Sequence, residues 1–112
     1  MNKNLILLLL FISLLSWTEK KPSREFYRLT VYHFNTVKQE KILDSYFEKA
    51  LLPALHKKNI KNIGVFKSWA NDTVTDKMIY IFIPFKSLEL ATNAFDGLRN
   101  DNDYASAGTD YF

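Results

Sequence analysis

The sequence predicts an α+β fold with an antiparallel sheet, and three observations support that prediction. Two segments, 25–34 and 78–85, alternate in side-chain character in the way of β-strands. A long segment between them has apolar residues at the three- and four-residue spacing of a buried helix face. Apolar residues make up 47% of the 112 residues and aromatic residues 15%, which is enough for one core and one domain.

The chain begins with a segment that has the anatomy of a secretory signal. Lys3 precedes the apolar run 5–15, and a polar stretch follows that run. Because the run is shorter than the roughly 20 residues that span a bilayer, we predict a signal peptide at 1–18 and export to the periplasm or the extracellular space. No small-residue pair marks a cleavage site, so an uncleaved membrane tether is the alternative. Once the signal is removed, no membrane contact is expected.

The folded domain is predicted to span 24–112, and its first element is a strand at 25–34. One face of this strand carries Tyr27, Leu29, Val31 and His33, and the other carries Phe26, Arg28, Thr30, Tyr32 and Phe34. Since both faces are largely apolar or aromatic, we expect the sheet to need cover on both sides.

The helix that follows is the clearest element in the chain. Thr36 and Gln39 fit a capping box at its start. Pro53 is expected to kink it near Lys49, whose carbonyl loses its hydrogen-bond partner. Asn59 fits the left-handed residue that often ends a helix. The predicted buried face consists of Ile42, Leu43, Tyr46, Phe47, Ala50, Leu51, Ala54 and Leu55.

Two strands and a second helix complete the predicted elements. The second strand lies in 60–70, where Gly64 marks a bulge or a close backbone approach, and a hairpin loop leads to the third at 78–85. Ser87 is expected to cap the second helix. The apolar stripe of that helix is Leu88, Ala91, Phe95 and Leu98.

The element order βαββα is that of a ferredoxin-like unit without its last strand. The segment 107–112 fits the turn into that strand. We therefore expect either a fragment of a longer protein or a domain whose missing strand is supplied by a partner.

Several segments of the domain resemble the NIPSNAP family, in particular its exported bacterial members. These segments are FYRLTVYHF at 26–34, ALLPALH at 50–56, IGVF at 63–66, ND at 71–72 and IPFKSL at 83–88. The resemblance implies a dimeric α/β barrel, in which two ferredoxin-like units, or two such domains in tandem, pack their helix-free sheet faces together. It implies no established reaction.

A homodimer, or a tandem second domain, is accordingly the expected partner. The predicted dimer face consists of Phe26, Tyr32, Phe34, Met78, Tyr80 and Phe82. Together these residues offer more apolar surface than a monomer usually leaves in water. We predict an exported dimerising module that binds a ligand or a protein and is not an enzyme.

An alternative hypothesis makes the domain a small oxygenase or haem-binding enzyme of the same barrel architecture. Its ligand pocket for a small apolar molecule would consist of Tyr32, His33, Trp69 and Tyr80. Because this hypothesis depends on an analogy between folds, packing of these aromatic residues at the sheet and dimer interface is favoured. A further alternative is a fragment of a longer two-domain protein.

Charge and cysteine content exclude several function classes. A formal net charge of +3 is too small to indicate a nucleic-acid partner. Lys57, Lys58 and Lys61 cluster, but they lie where a helix should end and where cations complement the helix dipole. The chain has no cysteine, which excludes disulfides, thiolate metal sites and cysteine nucleophiles.

Histidine and aspartate residues do not form a recognisable metal or catalytic pattern. His33 and His56 lack an identifiable third ligand, and the loop with Asp72 and Asp76 lacks the glycine and the final glutamate of a calcium loop. We expect His33 at an edge of the core and His56 at a helix end. No metal, cofactor or catalytic residue is predicted.

Overall fold

The computed structural model describes residues 19–112, and the predicted signal peptide at 1–18 lies outside the described residues. The described chain contains an antiparallel sheet of β1 (Phe26–Phe34), β2 (Gly64–Lys67) and β3 (Lys77–Phe85). The strand order is β1-β3-β2, so β3 lies between two strands that are separated in sequence by a long helix. This mixed arrangement of helices and an antiparallel sheet confirms the predicted α+β class.

The long helix consists of α1 (Val37–Tyr46), a π-helical turn (Phe47–Leu51) and α2 (Leu52–Lys57). At its start the Thr36 hydroxyl accepts a hydrogen bond from the Gln39 amide at 3.2 Å. The Gln39 side-chain oxygen in turn accepts one from the Thr36 amide at 3.1 Å. The predicted capping box is therefore confirmed, and it satisfies amides that have no partner inside the helix.

Near Lys49, where a kink was predicted, the structure has the π-helical turn. Proline has no amide hydrogen to donate to the carbonyl of Lys49, and its ring crowds that carbonyl. The wider turn relieves the conflict, and the amide of Leu52 donates to the carbonyl of Phe47, five residues earlier.

The helix ends as predicted at Asn59, whose φ of 63° is left-handed. The amide of Asn59 donates to the carbonyl of His56 at 2.9 Å, and the amide of Ile60 donates to that of Leu55 at 3.0 Å. These two bonds form a Schellman motif, which turns the chain back so that Ile60 packs against the core.

Strand β2 is shorter than the predicted 60–70, because the chain turns into a 3₁₀ helix (Trp69–Asp72) immediately after it. Beyond the end of β2, the side-chain amide of Asn71 makes hydrogen bonds to β3 of the kind that a strand backbone would make. It donates to the carbonyl of Met78 and accepts from the amide of Met78, both at 2.9 Å. The close approach predicted at Gly64 involves a ring rather than backbone, since a Cβ at Gly64 would lie 2.5 Å from the Phe66 side chain.

The predicted second helix is divided in the structure into α3 (Leu88–Asn93) and a 3₁₀ helix (Leu98–Asn100). Ser87 caps α3 as predicted, by accepting from the amide of Leu90 at 3.2 Å. Gly97, with a φ of 73°, separates the two pieces. The sequence prediction missed α4 (Asn102–Ala107), whose cap is Asp101.

Helices cover one face of the sheet and enclose the core. Its largest fully buried side chains are Leu51, Leu55, Ile79, Ile81 and Ile83. Within residues 19–112, no helix has the length and apolar character needed to cross a membrane.

The open face of the sheet as the candidate functional site

The side of the sheet opposite the helices is the candidate functional site. Strand register defines its members, because residues paired across neighbouring strands point to the same side. We call this surface the open face, and it consists of Tyr27, Leu29, Val31, His33, Gly64, Phe66, Met78, Tyr80, Phe82 and Pro84. We call the side that carries the helices the covered face.

Apolar side chains on the open face remain in contact with water. Leu29 is 58% exposed, and Tyr27 and Phe66 are exposed to a similar extent. Phe82 and Tyr80, on the central strand, are half-buried by their neighbours on both sides. The described part of the chain therefore leaves a continuous apolar surface on this side of the sheet.

Aromatic packing organises the open face. The rings of Tyr27 and Phe82 stack with their centroids 5.2 Å apart. The Phe66 ring lies over Gly64, where a side chain would collide with it. The Tyr80 hydroxyl contacts the Met78 sulfur at 3.2 Å. These contacts hold large side chains in place before any partner arrives, which lowers the entropy cost of binding.

Charged groups lie at the ends of the open face. At one end, Nδ1 of His33 lies 2.9 Å from a carboxylate oxygen of Asp76, and both side chains are more than half exposed. At the other end, the Tyr27 hydroxyl donates to the Glu25 carboxylate. That hydrogen bond, and the negative charge of Glu25, raise the pKa of Tyr27. The centre of the open face is apolar.

The predicted dimer face is wrong for its strand β1 members. Phe26, Tyr32 and Phe34 lie on the covered face, and Phe34 is only 2% exposed. Both faces of β1 are apolar, so alternation alone could not identify which one the helices cover. Register decides it, because Tyr32 lies opposite the buried Ile79. The other three predicted members, Met78, Tyr80 and Phe82, lie on the open face.

Tyr32 belongs to an aromatic cluster under the C-terminal turn. Its ring meets the Phe47 ring edge-on at 4.9 Å, and the Tyr46 and Tyr111 rings stack at 4.0 Å. The hydroxyls of Tyr46 and Tyr104 are 2.8 Å apart. Burial raises the pKa of Tyr32 to about 12 and also raises the pKa of Tyr46. These tyrosines have a structural role.

The predicted ligand pocket does not form. Tyr32 lies on the covered face, whereas His33 and Tyr80 lie on the open face. Trp69 is 100% exposed, in the 3₁₀ helix after β2. Cavities of about 420, 260 and 510 Å³ lie beside the helices, and none of these four residues lines them. The oxygenase hypothesis thereby loses the arrangement on which it depended.

The positions and contacts of the histidines and of Lys58 differ in part from those that the sequence predicted. His33 is exposed rather than at a core edge, and His56 lines the cavity of about 420 Å³ between the long helix and β2. Lys58 donates to carbonyls at the end of α3 instead of complementing its own helix. In residues 19–112, no three His, Asp or Glu side chains come together as metal ligands.

Comparisons of the chain with protein-family models, with curated proteins and with solved structures give no match. The NIPSNAP resemblance, export and dimerisation remain predictions.

Proposed function

We propose that this domain is an exported self-association module, in which two copies pack their open faces together about a two-fold axis. The observation that supports the proposal is the apolar open face on the side of the sheet without helices. Burying such a surface against an identical one removes apolar groups from water on both copies at once. A dimeric α/β barrel of two ferredoxin-like units, as the NIPSNAP resemblance implies, is the proposed assembly.

Strand order supports the ferredoxin-like part of the proposal. The helix from Val37 to Lys57 connects β1 to β2, and β3 lies between these two strands. A split βαβ unit of this kind is the core of a ferredoxin-like domain. In that arrangement the helices lie on one side of the sheet, which leaves the other side for a partner.

The strands alone supply only part of the area of a specific contact. Nine residues in each of β1 and β3 and four in β2 give a planar outline of about 350 Å², from a rise of about 3.3 Å and a strand spacing of about 4.8 Å. Side chains that protrude from this outline have a larger accessible area. Because the smallest specific interfaces bury about 600 Å² per partner, the proposed dimer also needs contacts from residues beyond the strands.

The chemistry of the open face suits a second copy of the same chain. Tyr and Phe are enriched at the centre of protein interfaces, and charged residues are depleted there. The His33–Asp76 pair lies at one end, where a face-to-face dimer can keep it in contact with water. Such a dimer would bury no unpaired charge, which is the costliest defect in an interface.

A matched pair of substitutions tests the proposal. Leu29 and Leu88 are 58% and 60% exposed, but only Leu29 is on the open face. Sedimentation equilibrium at micromolar concentration should give a dimer for the parent protein and for Leu88→Glu. Leu29→Glu should be largely monomeric, because the substitution places a charge in a dry interface.

Phe82→Glu should weaken the dimer in the same way, whereas Tyr32→Glu should disturb folding because Tyr32 is on the covered face. Circular dichroism establishes that each variant is folded before its mass is compared. A folded parent protein that sediments as a monomer at these concentrations would contradict the proposal. Equal dimerisation of Leu29→Glu and Leu88→Glu would contradict it as well.

A further inference from the structure

A cavity of about 510 Å³ lies between the loop after α2, the end of β3 and α3, and it meets the open face at Pro84. Ligand sites in proteins commonly have volumes of about 300–1,000 Å³ and combine apolar walls with a few polar groups. This cavity has both kinds of wall, and we call it the lysine cavity after the side chains at its rim.

Lys58 ties together the two helical walls of the lysine cavity. Its ammonium group donates to the carbonyls of Ala94 at 2.9 Å and Asp96 at 2.8 Å, and reaches that of Asn93 at 3.4 Å. An ammonium group has three donors, so these carbonyls use all of them. The cavity wall is thereby fixed, and the positive charge of Lys58 is held in one position.

The chain turn at Asn59 shapes the opposite side of the cavity. The Schellman motif directs Ile60 onto the core and leaves Lys61 at the cavity rim. Phe85 and Leu90 supply further apolar surface, Phe85 from the end of β3 and Leu90 from α3. A ligand in this cavity would meet apolar carbon and positive charge side by side.

The charge of the cavity lining is unusual for this chain. Lys58, Lys61 and Lys86 contribute three positive charges and Glu89 one negative charge, a sum of +2. Between residues 19 and 112, no carboxylate lies within ion-pair distance of any of the three lysines. Three lysines around an apolar floor produce a positive potential that favours an anion.

Lys57, next to Lys58 in the sequence, differs from the three cavity lysines because it is paired with carboxylates. Its ammonium group lies 3.0 Å from a carboxylate oxygen of Asp101 and 2.7 Å from one of Asp103, so the protein itself neutralises it. These contacts raise the pKa of Lys57 and lower that of Asp101. Among residues 19–112, no carboxylate forms an ion pair with Lys58 at the same helix end.

We propose that the lysine cavity binds a small organic anion that has one carboxylate or phosphate group on an apolar body. Lys61 and Lys86 would contact the anionic group, and the fixed charge of Lys58 would strengthen the attraction. Ile60, Phe85 and Leu90 would contact the apolar body. Of the open-face residues, Pro84 alone also lines this cavity, and none of the residues proposed to contact the anion belongs to the open face.

Isothermal titration of the purified protein with octanoate tests this inference, with octyl phosphate and neutral octanol as parallel probes. Octanoate or octyl phosphate should bind saturably below about 10 mM, and octanol at least about 10-fold more weakly. The double variant Lys61→Gln/Lys86→Gln should bind either anion at least about 10-fold more weakly than the parent protein does. The matched control is Lys41→Gln/Lys49→Gln, which removes the same charge from exposed positions on the long helix and should bind as the parent does.

Amide chemical shifts locate the binding in the same titration. Shifts at Ile60, Lys86 and Leu90 support the proposal. No saturable binding of either anion, or equal binding of octanol, overturns it. Equal affinity in the Lys61→Gln/Lys86→Gln variant and in the Lys41→Gln/Lys49→Gln control also overturns it, because the cavity lysines would then have no specific part.

Discussion

The two faces of the sheet have similar apolar content but very different surroundings. On β3, Ile79 and Ile81 are fully buried under the helices, while the intervening Tyr80 is only half-buried on the open face. On β1, Phe34 is 2% exposed and Leu29 is 58% exposed. The comparison shows that burial in this protein is decided by where the helices lie and by strand register, since hydrophobicity alone does not distinguish the two sides.

Polar groups on the two faces also have different surroundings. On the covered face, the Arg28 guanidinium donates to the carbonyl of Ala91 at 3.1 Å and lies 4.0 Å from the centre of the Phe95 ring. On the open face, the polar contacts of His33 and Asp76 are exposed to water. Groups on the covered face must find partners within the protein, because unsatisfied polar groups are costly when buried.

Alanine substitutions on the two faces should give the largest difference in the free energy of unfolding. Leu51 is 0% exposed in the core, so Leu51→Ala should lower the free energy of unfolding by about 2–5 kcal/mol. Leu29→Ala on the open face should lower it by less than about 1 kcal/mol in the monomer. Urea unfolding at low protein concentration measures both values. Equal losses at the two positions would show that the faces do not differ as described.

An alkaline titration makes the same comparison with tyrosines. Tyrosine has a usual pKa of 10.0, and burial raises the pKa of Tyr32 to about 12. Between these pH values the unfolded chain has lost the proton while folded Tyr32 keeps it, so rising pH favours unfolding. The stability that Tyr32 contributes is present below pH 10.0 and should be lost as pH rises towards about 12.

The control for this titration is Tyr27 on the open face. Its pKa is raised mainly by the hydrogen bond to Glu25 and by the charge of that carboxylate, with burial the smallest cause, and water screens the contact. Urea midpoints measured across the alkaline range should therefore decline less steeply in Tyr32→Phe than in Tyr27→Phe. The opposite order would indicate that Tyr32 is not buried in the folded protein.

The smallest effect is expected at the contact between His33 and Asp76, at one end of the open face. Because His33 and Asp76 are 57% and 60% exposed, Asp76→Asn should change the free energy of unfolding by less than about 0.5 kcal/mol near neutral pH. Thermal unfolding at two salt concentrations measures this change. A loss above about 2 kcal/mol would mean that the pair is part of a buried network.

Local signals in the sequence predicted much of the fold. Thr36 and Gln39 identified the helix start and Asn59 its end, because each acts through its own backbone neighbours. Pro53 identified where the helix is irregular, but the predicted kink is a π-helical turn in the structure. The end of α3 could not be predicted in this way. The guanidinium of Arg28, which is distant in sequence, donates a hydrogen bond to the Ala91 carbonyl in α3. This contact depends on tertiary packing.

The candidate site was predictable only in part for the same reason. The alternation of Met78, Tyr80 and Phe82 with isoleucines indicated correctly that they share one face of β3. Their neighbours on β1 depend on register, and a shift of one residue exchanges the two sides of a strand. The lysine cavity was not predicted, because residues from three separate segments form it. The clustering of Lys58 and Lys61 was its only signal in sequence.

The π-helical turn at Phe47–Leu51 holds one residue more than an α-helical turn, because the Leu52 amide donates to a carbonyl five residues earlier. Each residue advances an α-helix by about 100°, so one residue added to or removed from an α-helical part of the long helix would rotate all that follows. Such a change would take Leu55 away from the core and Lys58 away from the carbonyls of α3. Within the π-helical turn the extra residue is absorbed locally, so homologous chains with the same architecture should tolerate loss of one residue there more readily than elsewhere in the long helix.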